Sequence, residues 1–277
     1  MPLPVHLLPA PLRPYVAVAH GYRAPALPTG LHRGLPSRHL TLVVELLGPL
    51  RVAHGGTSVV SHAVLGGLHV GPAAIDASVP QEGVQYGLTP LAAPALLGVP
   101  AAELSGGTVP LVALLGASAD ELVERMAAAP TWPERFGLLD EALLRRLARC
   151  REVAPVSAEV TEAWRMVLAA HGQLRVADLA AHVGWGRRHL SERFRLATGL
   201  TPKQAARVVR FEAARDLLAQ RRPPALADVA VQCGYADQPH LAREWRALAG
   251  CSVGTWVREE LPFVQDTGAA EPTPSPA

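Results

Sequence analysis

The segment ADLAAHVGW at residues 177–185 returns 50 residues later as ADVAVQCGY at residues 227–235. Each copy contains a small alanine four residues before a glycine, at Ala180 with Gly184 and at Ala230 with Gly234. A small residue lets a second helix cross closely, and glycine can take the left-handed conformation that a tight turn needs. Both copies therefore predict a helix-turn-helix unit, and the repeat supports the two predictions together.

An amphipathic helix is predicted after each of these glycines. In each helix an aliphatic and an aromatic residue lie four apart and face the core, as Leu190 with Phe194 and as Leu241 with Trp245. The residues between them point outward, where arginine can pair with guanine and glutamine with adenine. We predict that these outward side chains contact DNA base edges: Arg187, Arg188, Ser191 and Glu192 in the first unit, and Gln238, His240 and Arg243 in the second.

A long helix is predicted between the two units. The sequence TPKQ at residues 201–204 supplies an N-cap, a proline at the first helical position and a capping-box glutamine. Running through Ala219, this helix would span about 27 Å. With its flanking helices it approaches the ~34 Å of one DNA turn, so the two units could enter successive major grooves. We expect Lys203, Arg207 and Arg246 to lie near the DNA backbone.

The C-terminal ~100 residues resemble the DNA-binding domain of the AraC/XylS family of bacterial transcription regulators. The resemblance rests on VADLAxxVG with LSERFRxxxGxxP at Val176 to Pro202, RxxxARxLL at Arg210 to Leu218, DVAxxCGY at Asp228 to Tyr235 and HLAREWR at His240 to Arg246. It implies that the outward residues of both second helices contact bases in double-stranded DNA. It also implies RNA polymerase as a partner if the protein activates transcription.

Three positions depart from the family pattern. Trp245 stands where the family usually has phenylalanine, Glu192 where some members have a base-contacting arginine, and Pro239 where a polar residue can occur. A glutamate can accept a hydrogen bond from cytosine or form a local salt bridge, and of these we favour the local salt bridge for Glu192.

The N-terminal part reads as an α+β domain, with a small β-sheet or barrel plus helices. Strands are predicted at residues 40–47, 50–54, 59–65 and 84–88, and helices at residues 120–128 and 133–150. Capping boxes are expected at Ser118 with Glu121 and at Thr131 with Glu134. This part resembles the variable sensor domain of actinobacterial members of the family, which implies a small-molecule effector or a homodimer.

Four segments are predicted along the chain. Residues 1–150 form an effector-sensing or dimerisation domain, 151–157 a linker, 158–265 an all-α DNA-binding domain and 266–277 a disordered tail. Residues 1–150 contain 10 arginines and 10 acidic residues, whereas residues 158–265 contain 15 basic and 11 acidic residues. The basic excess therefore coincides with the predicted DNA-binding domain.

Other functions were weighed against DNA binding. Seven histidines of the N-terminal part would suit a metal-binding barrel enzyme, but their spacing is poor: His6, His20, His32, His39, His54, His62 and His69. Glu45 could be a buried site carboxylate of such an enzyme, but a charge on an edge strand is favoured. A DNA-repair methyl acceptor would need reactive cysteines, and only Cys150 lies near the N-terminal part. A protein-binding scaffold is the third alternative.

Catalysis, a cofactor and a metal are not expected. The three cysteines are far apart, which favours a reducing cytoplasm over a disulfide framework. Prolines interrupt the N-terminal run that a signal peptide would need, and the chain lacks an apolar stretch of about 18 residues. We therefore expect a cytoplasmic protein without membrane contact.

Overall fold

Two antiparallel sheets build the N-terminal part of the computed structural model, which describes residues 6–150 and 156–261. The first sheet has the strand order β1-β8-β3-β6-β9 and the second has the order β2-β7-β4-β5. The strands are β1 (Val16–Ala24), β2 (Leu31–Gly34), β3 (Leu40–Glu45), β4 (Leu50–His54), β5 (Thr57–Ser61), β6 (Ala63–Gly66), β7 (Ala73–Asp76), β8 (Gln81–Leu88) and β9 (Thr108–Pro110).

The predicted strands at 40–47, 50–54 and 84–88 are confirmed in substance as β3, β4 and β8. The single strand predicted at 59–65 is wrong, because the chain divides at His62 into β5 and β6, which belong to different sheets. The expectation for Glu45 is also wrong. Glu45 ends β3, the middle strand of its sheet, and is 2% exposed. Its buried carboxylate accepts hydrogen bonds from the Tyr22 hydroxyl (2.8 Å) and the Glu82 amide (2.8 Å).

Five α-helices and two short 3₁₀ helices (Ala10–Leu12 and Pro90–Ala92) complete the N-terminal part, and seven α-helices follow among the described residues. The α-helices are α1 (Ala93–Leu97), α2 (Ala101–Leu104), α3 (Val112–Leu115), α4 (Ser118–Ala128), α5 (Trp132–Arg149), α6 (Ala158–Ala169), α7 (Val176–His182), α8 (Arg187–Thr198), α9 (Pro202–Leu218), α10 (Leu226–Gln232), α11 (Gln238–Ala249) and α12 (Val253–Glu259). The observed architecture is thus the predicted one, an α+β part followed by a helical part with two helix-turn-helix units.

Two of the three predicted helix caps are present in the structure and one is not. The Thr131 side chain accepts from the Glu134 amide and so caps α5, and Thr201 with Gln204 forms the full capping box of α9. The box at Ser118 is wrong. Ser118 already belongs to α4, and its hydroxyl donates to the carbonyl of Leu115 at 2.7 Å instead of capping.

The described residues include only part of the predicted linker and none of the predicted tail. Of residues 151–157 only Val156 and Ser157 are described, and Ser157 is the N-cap of α6. The predicted tail at 266–277 lies outside the described residues. The four-part division of the chain therefore stays a prediction.

One apolar core extends from the sheets into the first helix-turn-helix unit. The same cluster contains Leu42 and Tyr86 of the first sheet together with Trp164 of α6 and Phe194 of α8. The second unit has a core of its own, with Phe211, Trp245 and others. The first unit is therefore packed as part of the N-terminal core, whereas the second has a separate core against which Leu35 and Val70 of the N-terminal part pack.

The turn glycines give a stability prediction. Gly184 has φ of +72° and open space around the position of a Cβ, so Gly184→Ala should cost about 1–2 kcal/mol of unfolding free energy through backbone strain alone. Urea denaturation measures the change. Gly137→Ala is the control, because Gly137 lies inside α5 with equally open space and alanine there should stabilise by about 0.5–1 kcal/mol. Equal effects at the two sites would contradict the prediction.

Candidate DNA-binding surface

The two turns have the same backbone geometry. Gly184 and Gly234 have φ of +72° and +73°. After them the amide of Trp185 donates to the carbonyl of Ala180, and the amide of Tyr235 donates to that of Ala230, both at 2.9 Å. Ala180 and Ala230 are both buried. The duplicated sequence thus folds into duplicated turns, as predicted.

The second helix of each unit is held by an aromatic residue four positions after a buried leucine. Phe194 of α8 is fully buried, and its ring centre lies 5.7 Å from that of Trp164 on α6. Trp245 of α11 is fully buried, and its ring centre lies 4.8 Å from that of Phe211 on α9. This packing fixes which face of α8 and of α11 is left to solvent.

The side chains predicted to contact bases lie on that solvent face. Exposed residues are Arg187, Arg188, Glu192, Gln238 and Arg243, and half-buried ones are Ser191 and His240. Glu192 forms no ion pair with any described residue, so the local salt bridge that we favoured is not present. Among the described residues, Glu192 is therefore an exposed side chain without an ion-pair partner.

Of the predicted backbone contacts, two are free and one is engaged. Lys203 at the start of α9 and Arg246 near the end of α11 are exposed. Arg207 instead donates from Nε and Nη2 to the two carboxylate oxygens of Glu244, at 2.6 and 3.2 Å. This ion pair ties α9 to α11, so Arg207 contributes to the orientation of the second unit.

Sequence reasoning missed two further arginines on α8. Arg193 and Arg195 are exposed and form no ion pair within the described ranges. The repeat could have identified Arg195, because it lies 51 residues before Arg246, which is predicted to lie near the DNA backbone. The residue 51 positions after Arg193 is Glu244, so the repeat does not indicate a DNA contact for Arg193.

The beginnings of α8 and α11 differ. The N-cap of α8 is Gly186, which has no side chain to cap the helix, whereas the Asp237 carboxylate caps α11 by accepting from the His240 amide at 2.6 Å. Trp185 and Tyr235 are 50 residues apart, whereas His189 and His240 are 51 apart, so the second copy has one additional residue in this segment. The two units are therefore similar in their turns and unequal in charge at the start of the exposed helix.

The N-terminal part holds two buried carboxylates of the helical part. Glu212 of α9 accepts a hydrogen bond from the Ser37 hydroxyl at 3.1 Å and lies 3.1 Å from Nε of Arg38. Burial raises the pKa of Glu212, and the Arg38 charge opposes that rise. Glu260, just after α12, is fully buried and accepts from the Arg33 amide at 3.1 Å and the Arg33 guanidinium at 2.9 Å.

A close backbone approach joins the two parts at a second place. The Ser105 hydroxyl lies within hydrogen-bonding distance of the carbonyls of Leu68 and Gly199, at 3.1 and 2.8 Å. A Cβ at Gly199, which caps the end of α8, would lie 2.6 Å from Cβ of Ser105. The end of α8 is thus in direct contact with the N-terminal part.

The N-terminal histidines do not gather at one site, although the rings of His54 and His69 pack edge-to-face with centres 4.7 Å apart. His6 bonds to Asp140 at 2.8 Å, and burial lowers the pKa of both His20 and His69 to about 4 and that of His39 to about 3. Within residues 6–150 and 156–261, no group of three or more histidine, cysteine or acidic side chains could hold a metal ion. All three cysteines, including Cys150, are buried and unbridged. No helix of the described segments is long and apolar enough to span a membrane.

Residues 179–259 match the model of the helix-turn-helix domain family. They are an AraC-type helix-turn-helix domain. The chain therefore carries the DNA-binding domain of a transcription regulator of this type, which confirms the resemblance drawn from the sequence. No curated protein sequence matches the chain significantly.

Solved structures resemble the chain over most of its length. ToxT from Vibrio cholerae is 9% identical with a TM-score of 0.53, over 87% of this chain and 98% of its own. ToxT of strain SCE256 bound to an unsaturated fatty acid is 8% identical with a TM-score of 0.52, over 92% of this chain and 98% of its own. At these identities the similarity concerns the fold, including the order of a β-rich part and a helical part.

The buried ion pair between the two parts gives a second stability prediction. Arg38→Gln should lower the unfolding free energy by about 1–3 kcal/mol, because the buried carboxylate of Glu212 loses its ion pair with Arg38 and keeps only the charge of Arg215 near it. The double variant Arg38→Gln, Glu212→Gln should recover most of that loss. Arg23→Gln is the control, because the exposed Arg23 shares Glu82 with Arg135 and its removal leaves that carboxylate paired. Equal losses for Arg38→Gln and Arg23→Gln in urea denaturation would contradict the prediction.

Proposed function

We propose that this protein is a sequence-specific transcription regulator that reads double-stranded DNA with α8 and α11 in successive major grooves. The proposal rests on the observation that two units with the same turn geometry both leave arginines of their second helix exposed. These are Arg187 and Arg188 in the first unit and Arg243 in the second. Bidentate arginine–guanine contacts are the commonest specific contacts in the major groove. Gln238, His240, Ser191 and Glu192 complete the proposed base-reading set.

The proposed spacing follows from α9. Its 17 residues correspond to about 26 Å of helix, and the Arg207–Glu244 ion pair fixes α11 against it. In addition the side-chain amide of Gln173, before α7, donates to the carbonyl of Gln232 at the end of α10, at 3.0 Å. Such links favour two units that move as one, which reading two neighbouring grooves requires. Lys203 and Arg246 are proposed to hold phosphates.

The first experiment is selection of DNA. Wild-type protein is used to select duplexes from a random library, and affinity for the selected duplexes is then measured at several salt concentrations. Arg187→Ala with Arg243→Ala should abolish the preference for selected over random duplexes, since each base contact contributes about 1–3 kcal/mol of discrimination. Affinity of the wild type should also fall steeply with salt because phosphate contacts release counterions.

The matched control removes the same charge elsewhere. Arg51 and Arg149 are exposed arginines of the N-terminal part, so Arg51→Ala with Arg149→Ala changes the net charge equally. This variant should keep the preference for selected duplexes. A wild type that selects no sequence and binds without salt dependence would instead support the alternative of a protein-binding scaffold.

We further propose that the N-terminal part controls DNA binding through a small-molecule effector. ToxT, whose fold is similar, has been solved with an unsaturated fatty acid bound. In this chain the N-terminal part contacts α8 through Ser105, α9 through Ser37 and Arg38, and α12 through Arg33, so a change there can act on both units. RNA polymerase, if the protein activates, and a second copy of the chain are its proposed macromolecular partners, and the cytoplasm its proposed location.

Coupling between the two parts can be measured without knowing the effector. Arg38→Gln should change the affinity for selected duplexes by about fivefold or more, since coupling energies between sites are typically 1–3 kcal/mol. Arg23→Gln should leave it unchanged, because the ion pair of Arg23 is with Glu82, inside the N-terminal part. An affinity of Arg38→Gln equal to that of the wild type would count against control through this interface.

A further inference from the structure

A histidine occupies the same place in both exposed helices. His189 is the third residue of α8 and His240 is the third residue of α11. The sequence prediction included His240 among the base-reading residues and left out His189. The structure shows that the two belong together.

Each histidine ring is held by the aromatic residue that follows the turn glycine. The ring of His189 meets that of Trp185 edge-on, with centroids 4.6 Å apart and planes at 71°. The ring of His240 meets that of Tyr235 in the same way, at 5.4 Å and 87°. Edge-to-face packing of this kind restricts the rotation of the imidazole and therefore orients its nitrogen atoms.

The hydrogen bonding of His240 identifies its donor atom. The backbone amide of Ala236 donates to Nδ1 of His240 at 3.2 Å. A nitrogen that accepts from an N–H carries no proton, so in the neutral ring the proton lies on Nε2. Nε2 of His240 is then a donor on a half-exposed side chain that lies one helical turn before Arg243.

His189 has the more open position. It is exposed, and it lies one turn before Glu192 on the solvent face of α8. An imidazole always offers at least one N–H donor. The acceptors that DNA presents to such a donor are phosphate oxygens and, in the major groove, N7 and O6 of guanine, N7 of adenine and O4 of thymine.

We propose that His189 is a further DNA-contacting residue, and that His189 and His240 form a pair of aromatic-braced donors, one for each groove. The pair rests on the proposed function, because it uses the same surface. It adds a contact in the first unit that the sequence prediction left out, and it assigns Trp185 and Tyr235 the role of positioning residues.

The test separates the donor from the packing. His189→Phe keeps an aromatic ring against Trp185 and removes every N–H of the side chain, whereas His189→Gln restores a donor of similar reach. Affinity for the duplexes selected by the wild type should fall about 5- to 150-fold in His189→Phe and recover in large part in His189→Gln. His62→Phe, a change of an exposed histidine in the N-terminal part, should bind as the wild type does.

Each outcome has a definite meaning. A loss confined to the selected duplexes indicates a base acceptor, and an equal loss on random duplexes indicates a phosphate; both support the proposal. Wild-type affinity in His189→Phe overturns it, because the ring would then serve packing alone. If His189→Phe does not fold, His189→Ala with full affinity overturns the proposal in the same way. A wild type that selects no duplex defeats the proposed function itself, which is a different result.

Discussion

Two carboxylates in the helical part, on Glu212 and Glu260, lie out of water and depend on cations from the N-terminal part. A buried charge without a partner is far more costly than an exposed one, so the burial of Glu212 requires Arg38, alongside Arg215 of its own helix, and that of Glu260 requires Arg33, alongside His32. This requirement makes the position of the N-terminal part a condition for the stability of the helical part. The arrangement of the two helix-turn-helix units therefore also depends on the position of the N-terminal part.

The apolar core divides the molecule differently from the chain order. Trp164 and Phe194 of the first unit pack in one cluster with Leu42 and Tyr86 of the sheet, while the second unit surrounds Trp245 with its own apolar residues. The first unit is therefore coupled to the N-terminal part through a shared core. The second is coupled to it by the buried ion pairs of Arg38 and Arg33 and by the contacts of Leu35 and Val70 with its separate core. Close packing resists small displacements in all directions, so both units are tied to the position of the N-terminal part.

The helical part was predictable because its signals are local and repeated. The left-handed glycines, the small alanines and the capping box of Thr201 and Gln204 each act within a few residues, and the second copy checks the first. The sheets were less predictable. β1 and β7 lack a strict alternation of apolar and polar residues, and the partner strands lie far apart in sequence, as β1 with β8. Interdomain partners such as Arg38 with Glu212 carry no sequence signal at all, since 174 positions separate them. For the same reason the engagement of Arg207 by Glu244 could not be anticipated.

The unequal beginnings of α8 and α11 bear on how a polyanion would meet the protein. Aligned peptide dipoles leave the first turn of a helix electropositive, and at α8 the glycine N-cap leaves that field uncompensated and flanked by two arginines. At α11 the Asp237 carboxylate sits on the same spot and offsets it. The first turn of α8 therefore attracts a polyanion more strongly than the first turn of α11 does.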